Sequence, residues 1–69
     1  MMNGVQRDAP VFAILPQTED FIWDDAEYFI CENDATDSAF DWSVELNGAS
    51  VNIYRETEDG YDVIRRVWA

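Results

Sequence analysis

The sequence predicts an α+β fold in which a small antiparallel sheet carries one helix packed on one face. Three observations lead to it: apolar runs typical of strands, one segment with helical periodicity, and a turn dipeptide between two alternating segments. The chain has 69 residues, of which 48% are hydrophobic and ten are aromatic. This length corresponds to a single small acidic domain over residues 1–69, and the apolar content distinguishes it from a disordered acidic chain.

The first predicted element is a strand over residues 11–15, an apolar run that lies between Pro10 and Pro16. Proline cannot donate a hydrogen bond to a sheet ladder, so the flanking prolines place this strand at an edge of the sheet.

A helix is predicted over residues 19–31, with Thr18 as its N-cap and acids in its first turn. Its apolar residues recur at helical spacing along one side. Three acids, Asp20, Asp24 and Glu27, lie on the opposite side of the predicted helix. The alternative is a strand over residues 28–31, because aromatic and β-branched side chains favour pleated surfaces.

Residues 32–39 are predicted to form an acidic loop, because they combine acids with Asn, Ser and Thr. Apolar and polar residues then alternate over 41–46 and over 49–54, on either side of Asn47-Gly48. This pair favours a type I′ turn, so the two segments are predicted to form a hairpin. A turn over 57–60 leads to a last strand over 61–68, for which a short helix is the alternative. The predicted sheet is a three-stranded C-terminal meander plus the N-terminal strand.

The predicted core is formed by the apolar residues that point to one side of these elements. They are Trp42, Ile22, Phe29, Val44, Val51 and Ile53. Trp23 and Trp68 are also assigned to the core, with exposed anchors for a partner as the alternative. Cys31 is predicted to be part-buried and without chemistry, since a single thiol closes no intramolecular disulfide.

The residue types that are missing exclude most kinds of active site. The chain has no histidine, no lysine and one cysteine, which excludes an imidazole base, a Schiff-base lysine and a cysteine zinc site. An EF-hand frame starting at Asp34 places Ala39 where the calcium loop requires glycine. We therefore expect a non-enzymatic protein without a metal or other cofactor.

The charge pattern is the positive indication of function. The net charge is −11, and eleven carboxylates lie between Asp8 and Tyr54 without a lysine or arginine among them. Such a chain repels nucleic acid and anionic membranes and attracts basic surfaces. The acids of the predicted helix and loop form the predicted partner-binding strip: Asp20, Asp24, Asp25, Glu27, Glu32, Asp34 and Asp37. Asp41 and Glu45 are expected on a different side, on the outer face of the hairpin.

In its size, its charge and its acid-only stretch, the chain resembles the small acidic DNA mimics of bacteriophages and mobile elements. Many anti-CRISPR inhibitors and phage inhibitors of restriction enzymes belong to this class, which is defined by charge and not by a motif. The resemblance implies an inhibitor that blocks the basic DNA- or RNA-binding surface of a CRISPR effector or restriction complex. We also expect a cytoplasmic monomer or homodimer, in the host cell cytoplasm if the protein is phage-encoded, that binds neither nucleic acid nor membrane directly.

Two alternatives need no mimicry. The first is an antitoxin-like regulatory or assembly protein that binds through an edge strand or an aromatic patch. The second is a domain adapted to high salt, because such proteins are also acidic and poor in lysine.

Overall fold

The computed structural model describes residues 11–69. Along the chain the elements are β1 (Phe12–Pro16), a 3-10 turn (Trp23–Asp25), β2 (Glu27–Phe29), α1 (Glu32–Glu45), β3 (Val51–Thr57) and β4 (Gly60–Val67). The strands form one antiparallel sheet in the order β2-β1-β3-β4, and α1 packs on one face of it. The predicted fold class, α+β with a small antiparallel sheet and one helix, is confirmed.

The first predicted strand is confirmed as β1, but its predicted position at a sheet edge is wrong. β1 lies between β2 and β3, and all five of its residues are buried. Pro16 is the last residue of the strand, and the backbone N–H of Gln17 donates to the carbonyl of Ser50 at 2.8 Å just beyond it. A proline at the end of a strand therefore leaves the pairing on both sides of β1 intact.

The predicted helix over residues 19–31 is wrong. This segment contains a connection with the 3-10 turn and then β2, which pairs with β1 through Phe12 and Phe29, Ala13 and Tyr28, and Ile14 and Glu27. The alternative strand over 28–31 is closer to the structure, in which the strand covers 27–29. The apolar residues at helical spacing do not share a buried face, because Ile22 is 60% exposed and Ile30 is 79% exposed.

The helix instead occupies the residues predicted as an acidic loop and as the first hairpin strand. Its buried side is formed by small residues spaced four apart, Ala35, Ala39 and Ser43. Two of them join the core cluster with sheet residues Ile14 and Ile53. Small side chains on one helix face allow a close approach to the sheet, and this burial outweighs the alternating pattern over 41–46.

Asn47-Gly48 ends the helix and does not form a hairpin turn. Asn47 has a φ of 61° and Gly48 a φ of 92°. The N–H of Gly48 donates to the carbonyl of Ser43 at 2.8 Å, and that of Asn47 to the carbonyl of Val44 at 3.1 Å, which is a Schellman motif. A type I′ turn and this helix end both require positive φ, so the dipeptide predicts either one.

Four of the six predicted core residues belong to the core or pack against it. Val51 and Ile53 are fully buried, and Phe29 and Trp42 pack against the core cluster. The other two are wrong, because Ile22 and Val44 are exposed.

The two flanking tryptophans and the cysteine also need correction. Trp23 is 43% exposed and Trp68 is 60% exposed, and Cys31 lies at the surface.

The last hairpin is confirmed, with Thr57 opposite Gly60 across a turn of two residues. Its register shifts by one residue between Ile53 and Tyr54, because Ile64 is an extra residue in β4. Beyond this bulge Arg65 stands opposite Ile53 and Arg66 opposite Asn52. β4 forms one edge of the sheet, and the three-residue β2 forms the other.

Candidate partner-binding surface

Four carboxylates form a line along the solvent side of α1, and we call this line the acidic stripe. Its members are Asp34, Asp37, Asp41 and Glu45, and all four are exposed. Successive members are three, four and four residues apart, which keeps them within about a quarter of the helix circumference. With a rise of about 1.5 Å per residue the stripe is about 16 Å long.

A groove beside the stripe adds a further carboxylate from the sheet. Glu27 on β2 stands opposite Ile14, on the face of the sheet that α1 covers. The groove has a volume of about 280 Å³ and is lined by Glu27, Ser38, Asp41, Trp42 and Glu45. The Phe21 ring meets the Trp42 indole edge-on, with 5.6 Å between the ring centroids. The Trp42 indole gives the groove an apolar wall alongside the carboxylates of Glu27, Asp41 and Glu45.

The helix that carries the stripe contains no arginine or lysine to offset its charge. Residues 11–50 contain ten carboxylates and no arginine or lysine. Acids in the first turn of a helix are favoured by its dipole, but Glu45 lies in the last turn, which contains no basic residue. Asp41 and Glu45 also repel each other as an i,i+4 pair of like charge. The C-terminal half of the stripe therefore lowers the stability of the fold.

The predicted binding residues fall into three groups. Glu27, Asp34 and Asp37 belong to the stripe and its groove. Asp20, Asp24 and Asp25 are exposed in the connection between β1 and β2. Glu32 faces away from the stripe towards β4, where its carboxylate lies 3.6 Å from the Arg65 guanidinium. The predicted helical stacking of Asp20, Asp24 and Glu27 is wrong, because no helix joins them.

Asp25, in the connection between β1 and β2, accepts a hydrogen bond from the backbone of its own chain. The backbone N–H of Ile22 donates to Asp25 Oδ2 at 3.0 Å, which closes the 3-10 turn. Asp25 is therefore oriented by the fold, and part of its hydrogen-bonding capacity is used within the chain.

The prediction placed Asp41 and Glu45 on a different side of the molecule, and this was wrong. The alternating pattern predicts a strand for these two residues, whereas the structure aligns them with Asp34 and Asp37 on α1. The signal that could have found them is the spacing of the acids at 34, 37, 41 and 45, which follows the helical period.

The residues of the partial calcium-loop match lie in a helix and not in a loop. The residues at the tested positions belong to α1, where the Thr36 hydroxyl donates to the Glu32 carbonyl at 2.9 Å, as in an ordinary helix. Within residues 11–69 no group of three cysteine or acidic side chains could hold a metal ion.

The face of the sheet opposite α1, here called the open face, is partly covered by the connection between β1 and β2. Trp23 from this connection lies 4.8 Å from the Tyr54 ring and 5.2 Å from the Tyr61 ring, measured between centroids. Ala13, which points to this face, is fully buried. The aromatic cluster therefore holds the connection, and its acids Asp24 and Asp25, against the sheet.

No family model matches the chain, and no similar protein was found among curated proteins or solved structures. Among residues 11–69, no helix combines the length and apolar character needed to cross a membrane.

Proposed function

We propose that this protein is a non-enzymatic inhibitor that mimics nucleic acid and blocks the basic DNA- or RNA-binding surface of a partner. A CRISPR effector or a restriction complex would be a partner of this kind. The observation that carries the proposal is the acidic stripe. It presents about one carboxylate per 5.5 Å of helix axis, and one strand of B-DNA presents about one phosphate per 3.4 Å. The two densities are of the same order.

The chemistry of the partner follows from these acceptors. Arginine and lysine side chains that bind phosphate oxygens also bind carboxylate oxygens, through charge-assisted hydrogen bonds. In most nucleic-acid-binding proteins such contacts position the ligand without reading its sequence. An array of carboxylates can therefore occupy a phosphate-binding channel.

The scaffold supports this role because the stripe is held in place before binding. Ala35, Ala39 and Ser43 anchor the opposite side of α1 against the sheet. The stripe therefore loses little conformational freedom on binding, which favours affinity. Repulsion between neighbouring carboxylates of the stripe lowers the stability of the free protein, and a basic partner would relieve this repulsion.

Retention of host proteins on the immobilised protein tests the proposal. We expect basic nucleic-acid-binding proteins to be retained at low salt, released by NaCl, and displaced by added duplex DNA. An Asp37→Arg/Asp41→Arg variant should lose this retention. The matched control, Glu58→Arg/Asp59→Arg, changes the net charge equally in the turn between β3 and β4 and should keep most of it.

Equal loss with both variants would mean that the protein acts only as a diffuse polyanion. Retention that DNA does not displace would contradict mimicry of nucleic acid.

The first alternative, a regulatory or assembly protein, is favoured by exposed aromatic side chains near β4. Phe40 is 48% exposed and Trp68 is 60% exposed, and both line a shallow groove with Arg66 and Val67. Binding through this surface would tolerate salt and would be lost on Trp68→Ala substitution. The second alternative, adaptation to high salt, requires that the protein unfold at low ionic strength, which circular dichroism measures directly.

A further inference from the structure

We propose that the outer edge of β4, which no other strand of residues 11–69 covers, pairs with β4 of a second copy of the chain in an antiparallel and two-fold symmetric arrangement. This inference does not depend on the proposed function. β4 has eight residues and lies at the edge of the sheet. Val63 at its centre is 50% exposed and Ile64 is 41% exposed. Pairing would join two four-stranded sheets into one continuous sheet.

One register makes β4 complementary to itself. With the two-fold axis between Val63 and Ile64, Asp62 stands opposite Arg65 of the second copy, and Arg65 stands opposite the second copy's Asp62. Next to the axis, Val63 stands opposite the second copy's Ile64 and Ile64 opposite the second copy's Val63. Tyr61 stands opposite the second copy's Arg66. The cross-strand pairs formed by residues 61–66 then join opposite charges, two apolar side chains, or an arginine and an aromatic ring.

The bulge in β4 is what makes this register possible. A two-fold axis perpendicular to the sheet leaves the helix-covered faces of both copies on the same side of the joined sheet. Two residues of β4 can therefore stand opposite each other across the axis only if both point to the same face within one chain. In a regular strand Asp62 and Arg65, three positions apart, would point to opposite faces. Because of the extra residue, Asp62 stands opposite Arg55 and Arg65 opposite Ile53, and both therefore point to the face that α1 covers.

The same displacement places Tyr61 and Arg66 together on the open face. Tyr61 stands opposite Glu56 and Arg66 opposite Asn52. Arg66 is oriented there, since its Nε donates to Asn52 Oδ1 at 3.0 Å.

Charge along this edge also favours a second copy. Charged side chains and bulges often protect sheet edges, because like charges then meet across the gap. Here the symmetric register brings unlike charges together. The Arg65 guanidinium, 3.6 Å from Glu32 in its own chain, would lie between that carboxylate and the second copy's Asp62. Acids and bases would then alternate across the junction.

The surroundings of β4 are the least acidic part of the described chain. Residues 51–67 carry four carboxylates and three arginines, whereas residues 11–50 carry ten carboxylates and no base. Two copies that meet at β4 therefore make contact through this part of the chain, while their α1 helices and acidic stripes lie side by side on one face of the joined sheet. Repulsion between the two net charges still acts at long range, so added salt should strengthen the dimer.

Sedimentation equilibrium over a range of protein and NaCl concentrations tests the proposal. We expect a monomer–dimer equilibrium whose association becomes tighter as NaCl rises. Asp62→Arg and Arg65→Asp should each weaken the dimer by about tenfold or more, because each change places like charges opposite each other twice.

Mixing the two single variants gives the sharper result. In a heterodimer of Asp62→Arg with Arg65→Asp, both pairs between positions 62 and 65 again join opposite charges. The mixture should therefore associate more tightly than either variant alone, and the double variant should form a homodimer.

Asp37→Arg is the matched control, since it changes the net charge as much as Asp62→Arg does but lies on α1. It should leave the dimer intact and weaken retention of basic partners, and Asp62→Arg should do the reverse. Circular dichroism establishes that each variant is folded. The proposal is overturned if the wild-type chain is monomeric at every concentration, if all variants dimerise alike, or if the mixture stays monomeric while the wild-type chain dimerises.

Discussion

Neutralising the C-terminal half of the acidic stripe should make the protein more stable. In an Asp41→Asn/Glu45→Gln variant the side chains keep their size and lose their charge. Two carboxylates one helical turn apart, about 6 Å, repel each other by about 0.7 kcal/mol in water before salt screening. The variant removes two such contacts, between Asp37 and Asp41 and between Asp41 and Glu45.

A second contribution comes from the helix dipole. Removing an acid from the last turn contributes about 0.3–1 kcal/mol at low ionic strength. Because the unfolded chain also feels part of the repulsion, we expect a net gain of about 1 kcal/mol in the free energy of unfolding. For a domain of this size that corresponds to a rise of about 4–8 °C in Tm.

Thermal unfolding followed by far-ultraviolet circular dichroism measures this gain. The matched control is Glu58→Gln/Asp59→Asn, which removes two charges from the turn between β3 and β4. It should raise Tm by clearly less at low salt. In about 1 M NaCl, where the screening length falls to about 3 Å, the difference between the two variants should nearly vanish.

Two results would refute the reasoning. Equal gains from both variants would show that only the net charge matters and that the stripe is no centre of repulsion. A lower Tm for Asp41→Asn/Glu45→Gln would contradict the placement of these residues on a helix end without compensating cations.

Three further predictions concern the parts that hold the scaffold together. Ser43→Ala should lower the free energy of unfolding by about 1–3 kcal/mol in urea titrations, because the buried hydroxyl donates to the Ala49 carbonyl at 2.6 Å and accepts from the Ala69 N–H at 2.9 Å. Gly48→Ala should cost about 1 kcal/mol, since its φ is 92° and a Cβ would lie 3.3 Å from the Ala69 carbonyl oxygen; a neutral result would contradict the helix end described above. Trp23→Ala should speed amide hydrogen exchange at Ala13, which its connection covers, and unchanged exchange would mean that this connection does not depend on the indole.

Much of the sheet could be predicted from the sequence, because its strands are marked by strong local signals. β1 is a short apolar run, and β3 and β4 flank a turn that ends in Gly60. The fold class follows from these strands and one helix, although the helix was assigned to the wrong residues. Strand patterns of this kind depend on neighbours close in sequence, which sequence reasoning can see.

The helix could not be placed because its local signals are weak or shared with other structures. Its N-cap residue is Cys31, which makes no side-chain capping hydrogen bond. Its buried face consists of small residues, so hydrophobicity alone does not reveal it. Asn47 and Gly48 fit a helix end and a hairpin turn equally well. Packing of Ala35 and Ala39 against the sheet determines which residues form the helix. These contacts join residues that are far apart in the sequence.

The candidate surface was predicted in part for the same reason. Acidity over residues 8–54 is a property of composition, so the expectation of a basic partner does not depend on the assignment of elements. The membership of the strip does depend on it. Asp34 and Asp37 lie on the stripe, Glu27 lines the groove beside it, and Glu32 points towards β4. The helix aligns Asp41 and Glu45 with Asp34 and Asp37.

The contrast between the acidic residues 11–50 and the nearly neutral hairpin of β3 and β4 gives the molecule an electric dipole. A positively charged receptor exerts a torque on such a dipole during diffusional approach, so the acidic side formed by residues 11–50 tends to arrive before the hairpin. Productive encounters should then be frequent at low ionic strength, and the association rate should fall steeply as salt rises. The hairpin, turned towards solvent in that encounter, remains accessible to other contacts while the helix is engaged.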